Sequence, residues 1–284
     1  MKLIFDGDSW TFGCEIVDPN LQAKASSDTH PGKYDYLEEN DTYRQERIYP
    51  YFMSQDLGCE YVNLSWPADD NRTIIERTMS YLSSEYITKG KSTDDIFVII
   101  GWTSPERNSF WWKNKNLSKK FRIWPQADNF DDPMMRNVWD MYVQYLWHPE
   151  EYIPRYISTV VQFQNFCNIH NIKWLCYNAF YQTPNSNPNN WQDIEMTSEL
   201  SNIDVGSYCS FENGIRGTTK LSFESLWDTV DPIRFYKKDQ LNNTFKSFIE
   251  ENTNDSLVGW HPSPIGHKAW ADELIKYTKE NKLL

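Results

Sequence analysis

The run Ile96-Phe97-Val98-Ile99-Ile100, preceded by Asp95 and closed by Gly101, constrains the fold more than any other feature of this chain. A strand on a half-solvated sheet alternates apolar and polar residues. Five consecutive apolar residues leave no polar face, so both faces are covered, as in a central strand of a parallel sheet. Three further strands are read at Leu3-Ile4-Phe5, Tyr61-Val62-Asn63-Leu64 and Lys173-Trp174-Leu175-Cys176-Tyr177. Helical spacing lies between and after them. It covers Arg47 to Leu57, with Gly58 as a stop, and a helix capped by Asp70 or Asn71 that runs through Ile74, Ile75, Met79 and Leu82. It returns from Arg136 to Leu146 and from Ile153 to Ile169, with Pro149 and Pro154 near the break, and from Ser263 to Lys282. Strands alternating with helices imply an α/β fold whose parallel sheet is covered on both sides. Ligands of such sheets bind beyond the carboxyl ends of the strands. Ser9, Pro67-Ala68, Gly101-Trp102-Thr103 and Asn178 all follow strands and are expected to converge there.

The rest of the chain is less regular. Asp18 to Asp41 reads as a long loop. The segment from about 105 to 150 reads as an aromatic-rich insertion, without a clear period as far as Pro133, and 182 to 243 as irregular. With no repeat and no linker, residues 1–284 are expected to form one domain.

Hydrophobic residues make up 39% of the chain and aromatics 16%, enough for a sizeable core in which Trp and Tyr carry much of the area. The formal net charge of −12 argues against a nucleic-acid partner, which needs a basic surface to neutralise phosphates. The one basic cluster, Lys113 to Arg122, reads as a solvated hairpin or loop. Five cysteines, odd in number and widely spaced, fit reduced thiols in a cytoplasmic protein. No signal peptide and no membrane-spanning apolar run is visible, so a soluble protein without a membrane partner is expected. His30, His148 and His170 are scattered, and neither metal nor cofactor is expected. Asp69-Asp70 reads as helix capping rather than as an acid pair.

Acyl transfer by serine needs an exposed hydroxyl, a base and donors for the oxyanion. Ser9 follows Gly7-Asp8 at a strand end, where glycine permits a sharp turn. His261, in Gly259-Trp260-His261-Pro262-Ser263-Pro264-Ile265-Gly266-His267, lies where the last helix begins and can return over the first strand. His267 reads as a loop or cap residue.

Gly7-Asp8-Ser9 behind an N-terminal strand, with His261-Pro262-Ser263 and Gly266-His267 at the far end, resembles the SGNH or GDSL hydrolase family. The wording around Gly101-Trp102-Thr103-Ser104-Pro105-Glu106-Arg107 also resembles hydrolase-like proteins of tailed phages, which would put the protein in the host cytoplasm or the virion. The resemblance implies a flavodoxin-like, three-layer α/β/α sandwich with Ser9 as nucleophile and His261 as general base. It implies oxyanion donors at the Ser9 amide, at Ala68, where the family has glycine, and at Thr103, where it has asparagine. Val258 stands three residues before His261 in place of the family's aspartate. Asp255, at the wrong spacing, or a main-chain carbonyl is left to orient the imidazole.

The expected activity is hydrolysis of an oxygen ester, of a small acyl group or an O-acetylated glycan, through an acyl-Ser9 intermediate. Phe110-Trp111-Trp112 and Trp124 can line a substrate cleft or pack the insertion, and Arg107 can face an anionic substrate or pair with an acid. An acyltransferase would use the same residues. The alternative from another class is a catalytically impaired binding or structural module of the same fold, such as a part of a phage particle. Oligomeric state is not legible.

Overall fold

The computed structural model describes residues 1–23, 31–114, 117–123, 132–147, 149–180, 223–238, 240, 243–254 and 256–284. Its first half runs β1 (Lys2–Asp6), α1 (Ser9–Phe12), α2 (Pro19–Gln22), α3 (Glu38–Gln45), α4 (Tyr49–Leu57), β2 (Glu60–Asn63), α5 (Asn71–Leu82) and β3 (Ile96–Trp102). The second half runs β4 (Asn108–Asn114), β5 (Leu117–Ile123), α6 (Pro133–Met141), α7 (Pro149–Ile169), β6 (Lys173–Asn178), α8 (Phe223–Asp228), α9 (Phe245–Asn252), β7 (Leu257–Val258), β8 (His261–Pro262) and α10 (Pro264–Glu280).

The sheet runs in the order β2-β1-β3-β6, and every pairing in it is parallel. Strand alternation divides its side chains between two cores. Ile4, Val98, Ile100, Trp174 and Cys176 face α5 and α7, while Leu3, Phe5, Phe97, Ile99 and Leu175 face α4, α9 and α10. The fold is therefore α/β with helices on both faces, and β3 is buried along its whole length, as its unbroken apolar run requires. Each side chain removed from water on these faces contributes about 1.5–3 kcal/mol.

Several local expectations hold. Asp70 caps α5, its side chain accepting from Thr73 N at 2.7 Å. Gly58 ends α4 in the left-handed region, with φ 60°. Two expectations are corrected. The supposed loop from Asp18 to Asp41 holds α2 and opens α3. Helix α3 buries only Asn40 and Arg44, so no apolar stripe announces it. Pro154 does not break the chain but lies inside α7. As the sixth residue of α7 it lacks the N–H that would donate to the carbonyl of residue 150, and the helix continues through this loss.

The insertion beside β3 is an antiparallel hairpin, with β4 paired to β5 from Asn108↔Ile123 to Asn114↔Leu117. Phe121 and Ile123 turn inward onto Met135 and Tyr142, forming a small core of their own. Between them, Arg122 reaches Asp69 with Nη2 at 3.0 Å and Nε at 3.2 Å. Arg77 of α5 also binds Asp69 and grips Asp6 at the end of β1. One buried carboxylate thus ties the hairpin to the loop after β2. Burial raises the Asp6 carboxyl above the usual range, against the pull of Arg77. Among the described residues, no helix is long and apolar enough to cross a membrane.

Candidate active site

The end of β1 shapes the first half of the site. A Cβ on Gly7 would lie 2.3 Å from Thr11 Oγ1 and 3.0 Å from the Gly101 carbonyl oxygen, so glycine lets α1 fold directly back over the sheet edge. Asp8 caps α1 by accepting from Trp10 N at 3.0 Å. Ser9 opens the helix and is only 7% exposed.

Asp8 is buried and also gathers its neighbours. Its Oδ2 accepts from Thr103 Oγ1 at 2.6 Å and from Arg107 Nη1 at 3.1 Å. In this structure the Thr103 hydroxyl, expected as an oxyanion donor, is turned to Asp8. A hydroxyl has one hydrogen, and here it goes to a carboxylate that can only accept, so it is not directed at a substrate oxyanion. The Thr103 backbone is fixed as well, since its N–H donates to Asn71 Oδ1 at 2.9 Å and its carbonyl accepts from Asn71 Nδ2 at 3.1 Å. Arg107 faces Asp8 and, at 5.4 Å, the Phe180 ring.

Ala68 sits in the loop after β2 with φ 61°, a left-handed conformation that suits glycine, the residue that the resemblance to SGNH or GDSL hydrolases implies there. Its neighbours hold it in place, Asp69 through Arg77 and Arg122 and Asp70 as the cap of α5.

The second half of the site comes from the C-terminal segment. Strands β7 and β8 form a two-residue antiparallel pair that sets Val258 opposite His261, and β8 packs against α1. Val258 therefore gives backbone register, not a carboxylate, and Asp255 lies outside the described residues. The acid beside the imidazole is Glu15. Its Oε2 lies 3.1 Å from His261 Nδ1 and accepts from Trp260 N at 2.9 Å. The approach is off the line of a straight hydrogen bond. Such bonds often straighten only when substrate binds.

Glu15 is buried and adopts φ 66°. Its N–H donates to Asp35 Oδ1 at 2.7 Å, and Arg44 in turn donates to the Asp35 carbonyl oxygen. Burial raises the Asp35 carboxyl, against the pull of the Glu15 N–H that it accepts. Gly259 makes room for the acid, because a Cβ there would lie 2.3 Å from Glu15 Oε2. The His261 side chain stays 20% exposed and Trp260 is 80% exposed, so this indole does not seal the site. No local pattern marks Glu15 in the sequence. The hint available was the absence of an acid at position 258.

His267 stands apart from this group. It is fully buried under α4, and its Nδ1 accepts from Tyr49 N at 3.2 Å. Burial pulls it down to about 3, so it is a neutral structural imidazole at ordinary pH. Of the aromatic insertion, Phe110 borders a cleft of about 260 Å³ with Arg107 and Arg155, and Trp111 is exposed. Trp124, His30, His148 and Cys209 lie outside the described residues, as does the Trp112 side chain.

The model of the family of unknown function DUF6071 matches residues 32–219. The chain belongs to that family. The DUF6071 match takes in Ala68 and Thr103 but neither Ser9, Glu15 nor His261. No curated protein matches the chain. Similar solved structures include a lipolytic G-D-S-L family protein from Desulfitobacterium hafniense DCB-2, at 12% identity and TM-score 0.41, covering 100% of this chain and 99% of that one. A carbohydrate esterase family 2 enzyme with a carbohydrate-binding domain from Corynascus thermopiles (Myceliophthora fergusii) is similar at 12% identity and TM-score 0.46, covering 99% and 66%. A catalytic mutant of an acetylxylan esterase from Geobacillus stearothermophilus is similar at 13% identity and TM-score 0.43, covering 97% and 93%.

Proposed function

We propose that this chain is a serine ester hydrolase in which Ser9 is the nucleophile, His261 the general base and Glu15 the acid that orients it. The observation that carries the reading is the 3.1 Å approach of Glu15 Oε2 to His261 Nδ1, on a strand that packs against the Ser9 helix. A carboxylate at Nδ1 fixes the tautomer, leaves Nε2 free to take the Ser9 proton and stabilises the imidazolium that forms. Ser9 Oγ then attacks the ester carbonyl. The oxyanion is met by the backbone amides of Ser9 and Ala68, and His261 returns the proton to the departing alkoxide. Water, activated by the same imidazole, releases the acyl group from Ser9. An alcohol in place of that water would make the same site an acyltransferase.

One observation favours the rival reading, a binding module with catalysis reduced. The Thr103 hydroxyl donates to Asp8, which leaves two oxyanion donors where the SGNH or GDSL hydrolases that the sequence resembles use three. Loss of one donor costs about 10²–10³ in turnover. Labelling with a fluorophosphonate probe decides between them. Labelling of the wild-type chain that disappears in Ser9→Ala and His261→Ala supports the hydrolase. An unlabelled wild-type chain, under conditions that label a known serine esterase, rejects it.

A further inference from the structure

Three aromatic rings from separate segments meet beside the candidate site, with Tyr36 and Trp66 exposed over a buried Phe12. Phe12 ends α1, Tyr36 follows a short helical turn at Pro31–Tyr34, and Trp66 lies just beyond β2. Their centroids are 6.4 Å apart for Phe12–Tyr36, 5.8 Å for Phe12–Trp66 and 5.7 Å for Tyr36–Trp66. Rings that gather this way normally bury their faces. Here Tyr36 is 59% and Trp66 44% exposed. They line one side of a cleft of about 330 Å³ whose other lining includes Asp41, Gln45, Asn63 and Ser65. Asp35, which holds the Glu15 N–H, also lines it, so the cleft and the candidate site share a wall.

We propose that this cleft seats a neutral pyranose ring of the substrate, which makes the ester an acylated, uncharged carbohydrate. The link to Ser9 rests on the hydrolase reading above. A pyranose presents C–H groups on its faces and hydroxyls around its edge. Exposed aromatic faces suit the first, and the Asp41 carboxylate and the exposed Gln45 amide suit the second, while Asn63 and Ser65 are bonded to each other. A fatty acyl chain fits poorly, because it would strip water from the polar half of the lining without returning hydrogen bonds. An anionic sugar fits poorly too. Asp35 and Asp41 face Arg44, whose guanidinium already donates to both residues and lies 3.8 Å over the Phe12 ring.

The test is titration of the full-length Ser9→Ala chain with xylohexaose, cellohexaose and chitohexaose, followed by calorimetry. At least one is expected to bind at millimolar concentration or below. Adding Trp66→Ala or Tyr36→Ala is expected to weaken that binding about tenfold, the scale of one lost ring contact. Adding Trp111→Ala, an exposed ring outside the cleft, is expected to leave it unchanged. If Trp66→Ala fails to fold, Tyr36→Ala and Trp66→Leu carry the comparison. Binding of none of the three sugars overturns the proposal, as does tighter binding of an oligogalacturonate, or affinities untouched by both cleft substitutions. Because no turnover is needed, sugar binding by a chain that resists fluorophosphonate would reject hydrolysis and keep the cleft. Labelling without sugar binding would do the reverse.

Discussion

Glu15 and His261 meet from opposite ends of the chain, with Oε2 3.1 Å from Nδ1, and the Trp260 N–H next to His261 donates to the same oxygen. Asp35 fixes the Glu15 amide, and the pairing of β7 with β8 fixes His261. An orienting acid is expected to matter through charge and tautomer rather than bulk. Glu15→Gln is therefore expected to lower kcat for a simple ester such as p-nitrophenyl acetate by about 10²–10⁴, with the melting temperature nearly kept. Glu15→Asp is expected to recover part of the rate. Equal rates for wild type and Glu15→Gln, measured across pH 5 to 9, would remove Glu15 from the mechanism.

Gly259 has φ 60°, and a Cβ there would meet Glu15 Oε2. Gly259→Ala combines a strained backbone with a displaced carboxylate. It is expected to cost about 1–3 kcal/mol of stability and to slow ester hydrolysis along with it. Chemical denaturation and turnover measured on the same sample check both effects.

Ala68 occupies a conformation that disfavours any Cβ. Ala68→Gly relieves that strain while keeping the backbone N–H, partly offset by a more flexible unfolded chain. It is expected to change stability by about +0.5–1 kcal/mol and to leave hydrolysis within a few-fold of wild type. A clear loss of stability in denaturant titration would contradict the strained geometry.

His267 is neutral in the fold at about 3, against about 6.5 for an unperturbed imidazole. The unfolded chain binds a proton on His267 below about 6.5, and the folded chain does so only near 3. Its contribution to stability is complete above about pH 6.5 and falls steadily as the pH drops toward 3. His267→Asn keeps an acceptor for the Tyr49 amide and removes the titration. Its melting temperature is expected to vary less than that of wild type between pH 6.5 and 4, as thermal scans across that range would show.

What the sequence revealed follows from how local each determinant is. The unbroken apolar run of β3 stated its own burial, Asp70 sat where a cap belongs, and the Ser9 and His261 motifs carried their strand and helix context with them. Helix α3 was hidden because its buried residues are polar: Asn40, which bonds back to Ile16 and Asp18, and Arg44, which bonds to Asp35 and to Asp41 of its own helix. The role of Thr103 depended on whether its hydrogen pointed at solvent or at Asp8, a matter of side-chain rotation that no spacing encodes. Glu15 was the hardest to read, since its meaning lies in a contact that only the finished fold makes.

That long-range contact bears on the timing of assembly. Ser9 and Glu15 leave the ribosome almost together, six residues apart, and wait through nearly the whole of synthesis for the segment that brings His261. Closing so long a loop is entropically slow, and the docking of α10 with the short β7–β8 pair joins the two ends. On the proposed mechanism, a chain that lacks His261 would carry Ser9 and Glu15 without the base, so reactivity would arise only once the β7–β8 segment has docked.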